Sequence, residues 1–249
     1  MSDFQFRIRQ VFLLLMWIGA IVYATAFAPP TQPDTLDVIQ SLVLGRWSEI
    51  NPLIVALFNV MGLWPVIYAA VALVDGRSAK EEGRSPSLPA WPFVVLSFGL
   101  GAFALLPYLA LRQPQRHPQA QASDSAATLT LDGWAKWMES RWIGPFTLLV
   151  GGGFMVFGLL TGSWSEFVAE WQTNRFIHIM SLDFCALSVL FPLLLGDDMK
   201  RRGIESWWWI KVVAIAPLIG PAVYLAVRPS LSAEGLPTQS VAPKAMPTK

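Results

Sequence analysis

Two ionisable side chains, His178 and Asp183, stand inside an otherwise apolar stretch of the chain. A charge held in hydrocarbon costs on the order of 2.5–3.5 kcal/mol even on lenient scales, so such residues tend to mark a site. His178, Ser181, Cys185 and Ser188 follow one another at spacings of three, four and three, which lines them along one face of a helix. Asp183 falls on the opposite face. A helix that is polar on both sides can turn neither to lipid, so this one belongs at the centre of a bundle. The chemistry open to these groups is contact with a pigment, a quinone or an ion; the plainer use is hydrogen bonding between helices. Asn59, which shares a face with Asn51 and Gly62 ahead of Pro65, is a candidate to meet Asp183 or the polar stripe at mid-depth.

Enzymatic chemistry has little to stand on. The sequence lacks HExxH, GxSxG, a phosphate-cradling glycine loop and a carboxylate pair at catalytic spacing. Two histidines, His117 and His178, cannot supply a histidine-rich metal centre, and the lone Cys185 excludes an intrachain disulfide. The expectation is a non-enzyme with no metal. No cofactor is required, although chlorophyll, carotenoid or a quinone would suit the setting. Eighteen basic against seventeen acidic residues leave no basic face for a phosphate backbone, so nucleic acid is not an expected partner.

The elements that must position these residues are membrane helices. Hydrophobic residues make up 54% of the chain and charged ones only 14%, where soluble domains carry about a quarter charged. The apolar residues fall into blocks at 11–28, 52–74, 90–111, 143–162, 176–196 and 206–227, each roughly the 20 residues that a helix needs to cross a bilayer. A backbone in lipid must satisfy its own N–H and C=O groups, so each block is read as a helix. The predicted fold is an all-α polytopic bundle of six spans with the lipid bilayer as its surroundings. Several of the twelve tryptophans (Trp47, Trp91, Trp142, Trp164, Trp207 to Trp209) fall at block ends, where the ring suits the headgroup layer. The first block, with Arg7 and Arg9 before it and Ala24-Thr25-Ala26 at its end, also has the pattern of a cleavable leader.

A polar, proline- and glutamine-bearing stretch at 113–127 divides the blocks three and three. The expected organisation is a membrane half at 1–112, a linker with an interfacial helix at 113–142, a second membrane half at 143–229, and a disordered tail at 230–249. Leu131, Trp134, Met138 and Trp142 give the interfacial helix its apolar face. The halves look related: Trp91 and Trp207 each stand seventeen residues before a Tyr-Leu-Ala-aliphatic-Arg run, Tyr108–Arg112 and Tyr224–Arg228. Three spans per half would invert one half against the other, a 3+3 inverted repeat of the kind found in transporters. Loop charge is then evenly split, nine Lys or Arg on each side. Arg7 and Arg9 ahead of the first block, against Arg46 alone after it, favour both termini inside.

Small residues are the other pattern. Gly151-Gly152-Gly153, Gly158 and Gly162 smooth the fourth block for close helix contact, as Gly62 does on the second. Their first expected use is packing within the fold; a membrane-protein partner is the second. Pro65, Pro107, Pro192, Pro217 and Pro221 bend the helices that carry them.

The stretches NPLIVALFNVMGLWPVIYAAVALVDGR, RFIHIMSLDFCALSVLFPLLLGDDM and PLIGPAVYLAVRP resemble segments of uncharacterised multi-pass membrane proteins of cyanobacteria and chloroplasts. The resemblance covers most of the chain outside the linker and tail and transfers no catalytic residue. It implies a photosynthetic source and a thylakoid or plasma membrane. The leading functional expectation is a non-enzymatic assembly or stability factor for a photosynthetic membrane complex, with complex subunits as partners. The alternatives are a small secondary transporter with its site around Asp183, and a pigment or quinone binder using His178.

Overall fold

The computed structural model describes residues 3–81, 88–112, 137–204 and 208–229. Among these every regular element is a helix. Four helices are long and apolar enough to cross a membrane: α1 (Asp3–Val22, extended by a π-turn at Tyr23–Phe27), α3 (Pro52–Glu81), α6 (Ile143–Thr161) and α8 (Arg175–Arg201). Two shorter helices, α2 (Thr35–Val43) and α7 (Trp164–Thr173), connect α1 to α3 and α6 to α8. The predicted linker at 113–127, the tail at 230–249 and residues 131–136 of the predicted interfacial helix lie outside the described residues.

Six full spans were expected, and the third and sixth blocks depart from that. The third is two helices, α4 (Ala90–Leu100) and α5 (Ala102–Leu111), broken at Gly101 with φ +51°. Phe93 and Tyr108 have ring centroids 5.7 Å apart. In one straight helix, fifteen residues would separate them by about 22 Å, so the block doubles back on itself. The sixth block repeats the pattern as α9 (Trp208–Ile215) and α10 (Ile219–Val227), broken where Leu218 takes φ +64°. Trp209 and Tyr224, again fifteen apart, have centroids 5.8 Å apart. Hydropathy cannot separate one 22-residue helix from two half-length arms; the breaks come from backbone conformation at Gly101 and after Pro217.

Contacts fix the directions. Asn51 and Asn174 line one pocket at the same end of the molecule, and each caps its own helix by accepting a backbone N–H two residues on, from Leu53 and Phe176 at 3.0 Å. Further along, Tyr68 and Phe191 meet edge to face at 5.5 Å, and the Tyr68 hydroxyl donates to the Leu187 carbonyl at 2.8 Å. Helices α3 and α8 therefore run parallel. α1 is antiparallel to α8, since Tyr23 at its C-terminal end touches His178 near the start of α8. α6 is antiparallel to α3: a Cβ on Gly158 would meet Ala56, and one on Gly151 would meet Leu63.

The core lies between α3 and α8, where Trp64, Ile67, Tyr68 and Phe191 are fully enclosed. The fifth block was expected to be central, and it shares that place with the second. The apolar window of α3 is 67% buried against 33% for α8. At the far end from Asn51 and Asn174, ion pairs pin both folded-back arms. Asp198, wholly buried, accepts from the Arg202 Nε at 2.9 Å, the Tyr224 hydroxyl at 2.7 Å and Arg228 at 3.3 Å. Glu139 balances the two arginines. Burial opposes the charge of Arg202, but its bonds to Glu139 and Asp198 outweigh that and hold its pKa above the ordinary arginine value. Arg112 pairs with Asp197 at 2.7 Å.

Candidate functional site around Asp183

Asp183 sits on α8 beside the tip of the α4–α5 hairpin. Its Oδ1 accepts the Ala102 backbone N–H at 2.7 Å. The carboxylate therefore caps the N-terminus of α5, where unsatisfied N–H groups and the helix dipole favour negative charge. Gly101 is required at the tip for two reasons. Its positive φ suits glycine, and a Cβ built there would fall 1.6 Å from Asp183 Oδ2.

Two cavities flank this contact and share Asp183, Phe103 and Ile179. The larger, about 530 Å³, lies between α3, the hairpin tip and α8; Thr31, Thr35 and Arg175 line it at the end of Asn51 and Asn174. The smaller, about 410 Å³, lies among α1, α5 and α8 and is almost wholly apolar. Asp183 is 8% exposed and is the one carboxylate in either wall among the described residues. Arg175, at the rim, donates from Nε to the Pro29 carbonyl at 2.8 Å.

The structure separates the other sequence candidates from this site. His178 is sandwiched by rings, 4.4 Å from Trp171 and 5.8 Å from Tyr23. Its Nδ1 lies 2.8 Å from the Trp171 carbonyl, which can only accept, so Nδ1 carries the proton. Nε2 is hydrogen-bonded to the Tyr23 hydroxyl at 2.8 Å. Both nitrogens are engaged, and ligation of a pigment metal would require breaking one bond. Ser181 and Ser188 donate to the carbonyls of Ile177 and Phe184 on their own helix, and Cys185 is exposed. The stripe is thus not a network. Asn59 does not meet Asp183; its amide donates to Val55 one turn back at 2.8 Å.

The glycines divide in the same way. Gly151, Gly158 and Gly162 are tightly opposed, with Leu218, Ala56 and Leu53 each within 2.6 Å of a would-be Cβ. Gly62 has nothing near its open side and lines the larger cavity, while Gly152 and Gly153 face outward; close packing was expected of all three. Gly144, which hydropathy and spacing did not single out, is the most crowded of the fourth block, 2.2 Å from the Ala226 nitrogen. Gly101 was missed too. Its one signal was the SFGLGA run that interrupts an apolar block.

Among the described residues no three His, Cys, Asp or Glu side chains gather as a metal site. No protein-family model, curated protein or solved structure matches this chain.

Proposed function

We propose that the protein is a small membrane transporter whose substrate site is built around Asp183. The observation that carries this reading is a buried carboxylate at the tip of a folded-back helical pair, with a cavity on either side. Broken helices are tolerated at membrane depth where they are enclosed by protein or line a cavity, and helix termini at mid-membrane are a recurring way to bind polar solutes. Flux through proteoliposomes is the test. Solid-supported-membrane currents would be recorded for a panel of inorganic cations, organic cations, organic acids and amino acids. At least one solute should give a current that Asp183→Asn abolishes. No current across the panel, or equal currents in both proteins, would refute the reading.

The same proposal revises the internal repeat. Two full crossings and one folded-back arm per half leave the halves in the same orientation, in place of the inverted relation. Paired contacts support it. Arg112 donates to the Leu193 carbonyl at 2.9 Å and Arg228 to the Ala70 carbonyl at 3.1 Å. Ala70 and Leu193 are 123 positions apart, as are the capping residues Asn51 and Asn174 and the touching pair Tyr68 and Phe191. Each arm is thus tied to the long helix of the other half.

Loop charge now takes one sign of bias. Arg7, Arg9, Arg77, Lys80, Arg112, Arg141, Lys200, Arg201, Arg202 and Arg228 belong to segments at one end, against Arg46 and Arg175 at the other. The even split disappears because Arg112, Arg141 and residues 200–202 join the end that holds the start of α1. By the positive-inside rule that end is cytoplasmic, or its equivalent in an organelle.

The assembly-factor reading stands second, on the outward-facing Gly152 and Gly153. Its photosynthetic setting rests on resemblance alone. Recovery of the protein by itself from native membranes in mild detergent would count against it.

A further inference from the structure

Accepting the transporter reading of the Asp183 site, we infer that its substrates are lipophilic organic cations. Oδ1 is committed to Ala102, whereas Oδ2 takes no hydrogen bond among the described residues, and Asp183 borders both cavities. The larger cavity has the size of a drug-sized ligand site. Its bulky lining side chains include the aromatic and thioether groups of Phe58, Phe98, Phe103, Phe176, Met61 and Met180, beside the hydroxyls of Thr31, Thr35 and Ser97. Aromatic faces attract a cation of low hydration, and an apolar wall rewards an apolar body. An inorganic cation would find one carboxylate oxygen and few other oxygens to replace its water.

The approach has matching charge. Asp34, Glu49, Glu166 and Glu170 line a separate pocket at the end of the molecule where Asn174 precedes Arg175, and a surplus of acidic groups raises the local concentration of cations. Arg175 is the one opposing charge in the lining among the described residues. It lies eight residues before Asp183, about 12 Å along the helix, and its Nε is held at the rim by Pro29.

Tetraphenylphosphonium and tetraphenylborate, matched in shape and opposite in charge, test the inference by equilibrium dialysis against the full chain in detergent. Tetraphenylphosphonium should bind saturably. Loss of a desolvated charge partner costs about 2 kcal/mol or more, so Asp183→Asn should weaken it about 30-fold or more. Asp183→Glu should retain binding, and tetraphenylborate should show no saturable component. Equal tetraphenylphosphonium binding in wild type and Asp183→Asn would overturn the inference. So would saturable tetraphenylborate binding that Arg175→Gln abolishes, which would leave a substrate site but reverse its charge preference. Binding of neither probe also overturns it. The transporter reading then survives only if an Asp183-dependent current is found for another solute.

Discussion

Removing the carboxylate of Asp183 should separate its structural role from its charge. The Ala102 N–H has Asp183 as its acceptor at 2.7 Å, and the pair is buried at the hairpin tip. Asp183→Ala orphans that donor, which costs about 1–3 kcal/mol, and forfeits the favourable charge at the α5 N-terminus, about 0.3–1 kcal/mol. The sum is about 1.3–4 kcal/mol. For a chain of this length each kcal/mol moves Tm by about 2–4 °C, so the alanine variant should melt about 3–16 °C below wild type. Asp183→Asn keeps an acceptor oxygen and gives up only the charge, so it should melt within about 4 °C of wild type. Intrinsic fluorescence of the twelve tryptophans in detergent provides the assay. Equal losses in the two variants would refute the capping role, and so would an alanine variant that melts with wild type.

Gly101→Ala should destabilise by about 1–3 kcal/mol for its positive-φ backbone alone, and further because its Cβ would fall on Asp183 Oδ2. The double variant with Asp183→Ala should then be less damaged than the sum of the singles, read by the same melts. Arg228→Met strips a buried cluster of one of its two balancing cations and should cost about 3–5 kcal/mol; adding Glu139→Gln should recover part of that loss. Gly158→Leu, opposed by Ala56 at 2.6 Å, should cost about 1–3 kcal/mol. Gly152→Leu, on the open side of the same helix, should stay within about 0.5 kcal/mol.

Local hydropathy and spacing made part of the fold legible in the sequence: every apolar block forms helix among its described residues. The run at Tyr224–Arg228 matters because Arg228 reaches Ala70, 158 positions away, and no periodicity reports such a distance. The count of crossings failed for a related reason. Residues 90–111 have uniform hydropathy whether they cross or fold back, and the decision rests on one glycine at φ +51°. Charge counting depends on the same decision, since each full crossing exchanges the sides of the loops after it. The polar stripe on α8 had the right spacing, yet its two serines bond their own helix, which spacing alone cannot distinguish from contact with a neighbour.

Four crossings with two folded-back arms are the arrangement on which the Asp183 site rests, and cysteine accessibility tests it directly. In a Cys185→Ser background, single cysteines would replace Glu49, Arg141, Ser165 and Lys200, all exposed. Each variant would be labelled in sealed, oriented vesicles with a membrane-impermeant maleimide. Four crossings predict that positions 141 and 200 react from one side and positions 49 and 165 from the other. Positions 49, 141 and 200 reacting together from one side, with 165 alone on the other, is the six-span pattern and would contradict the account.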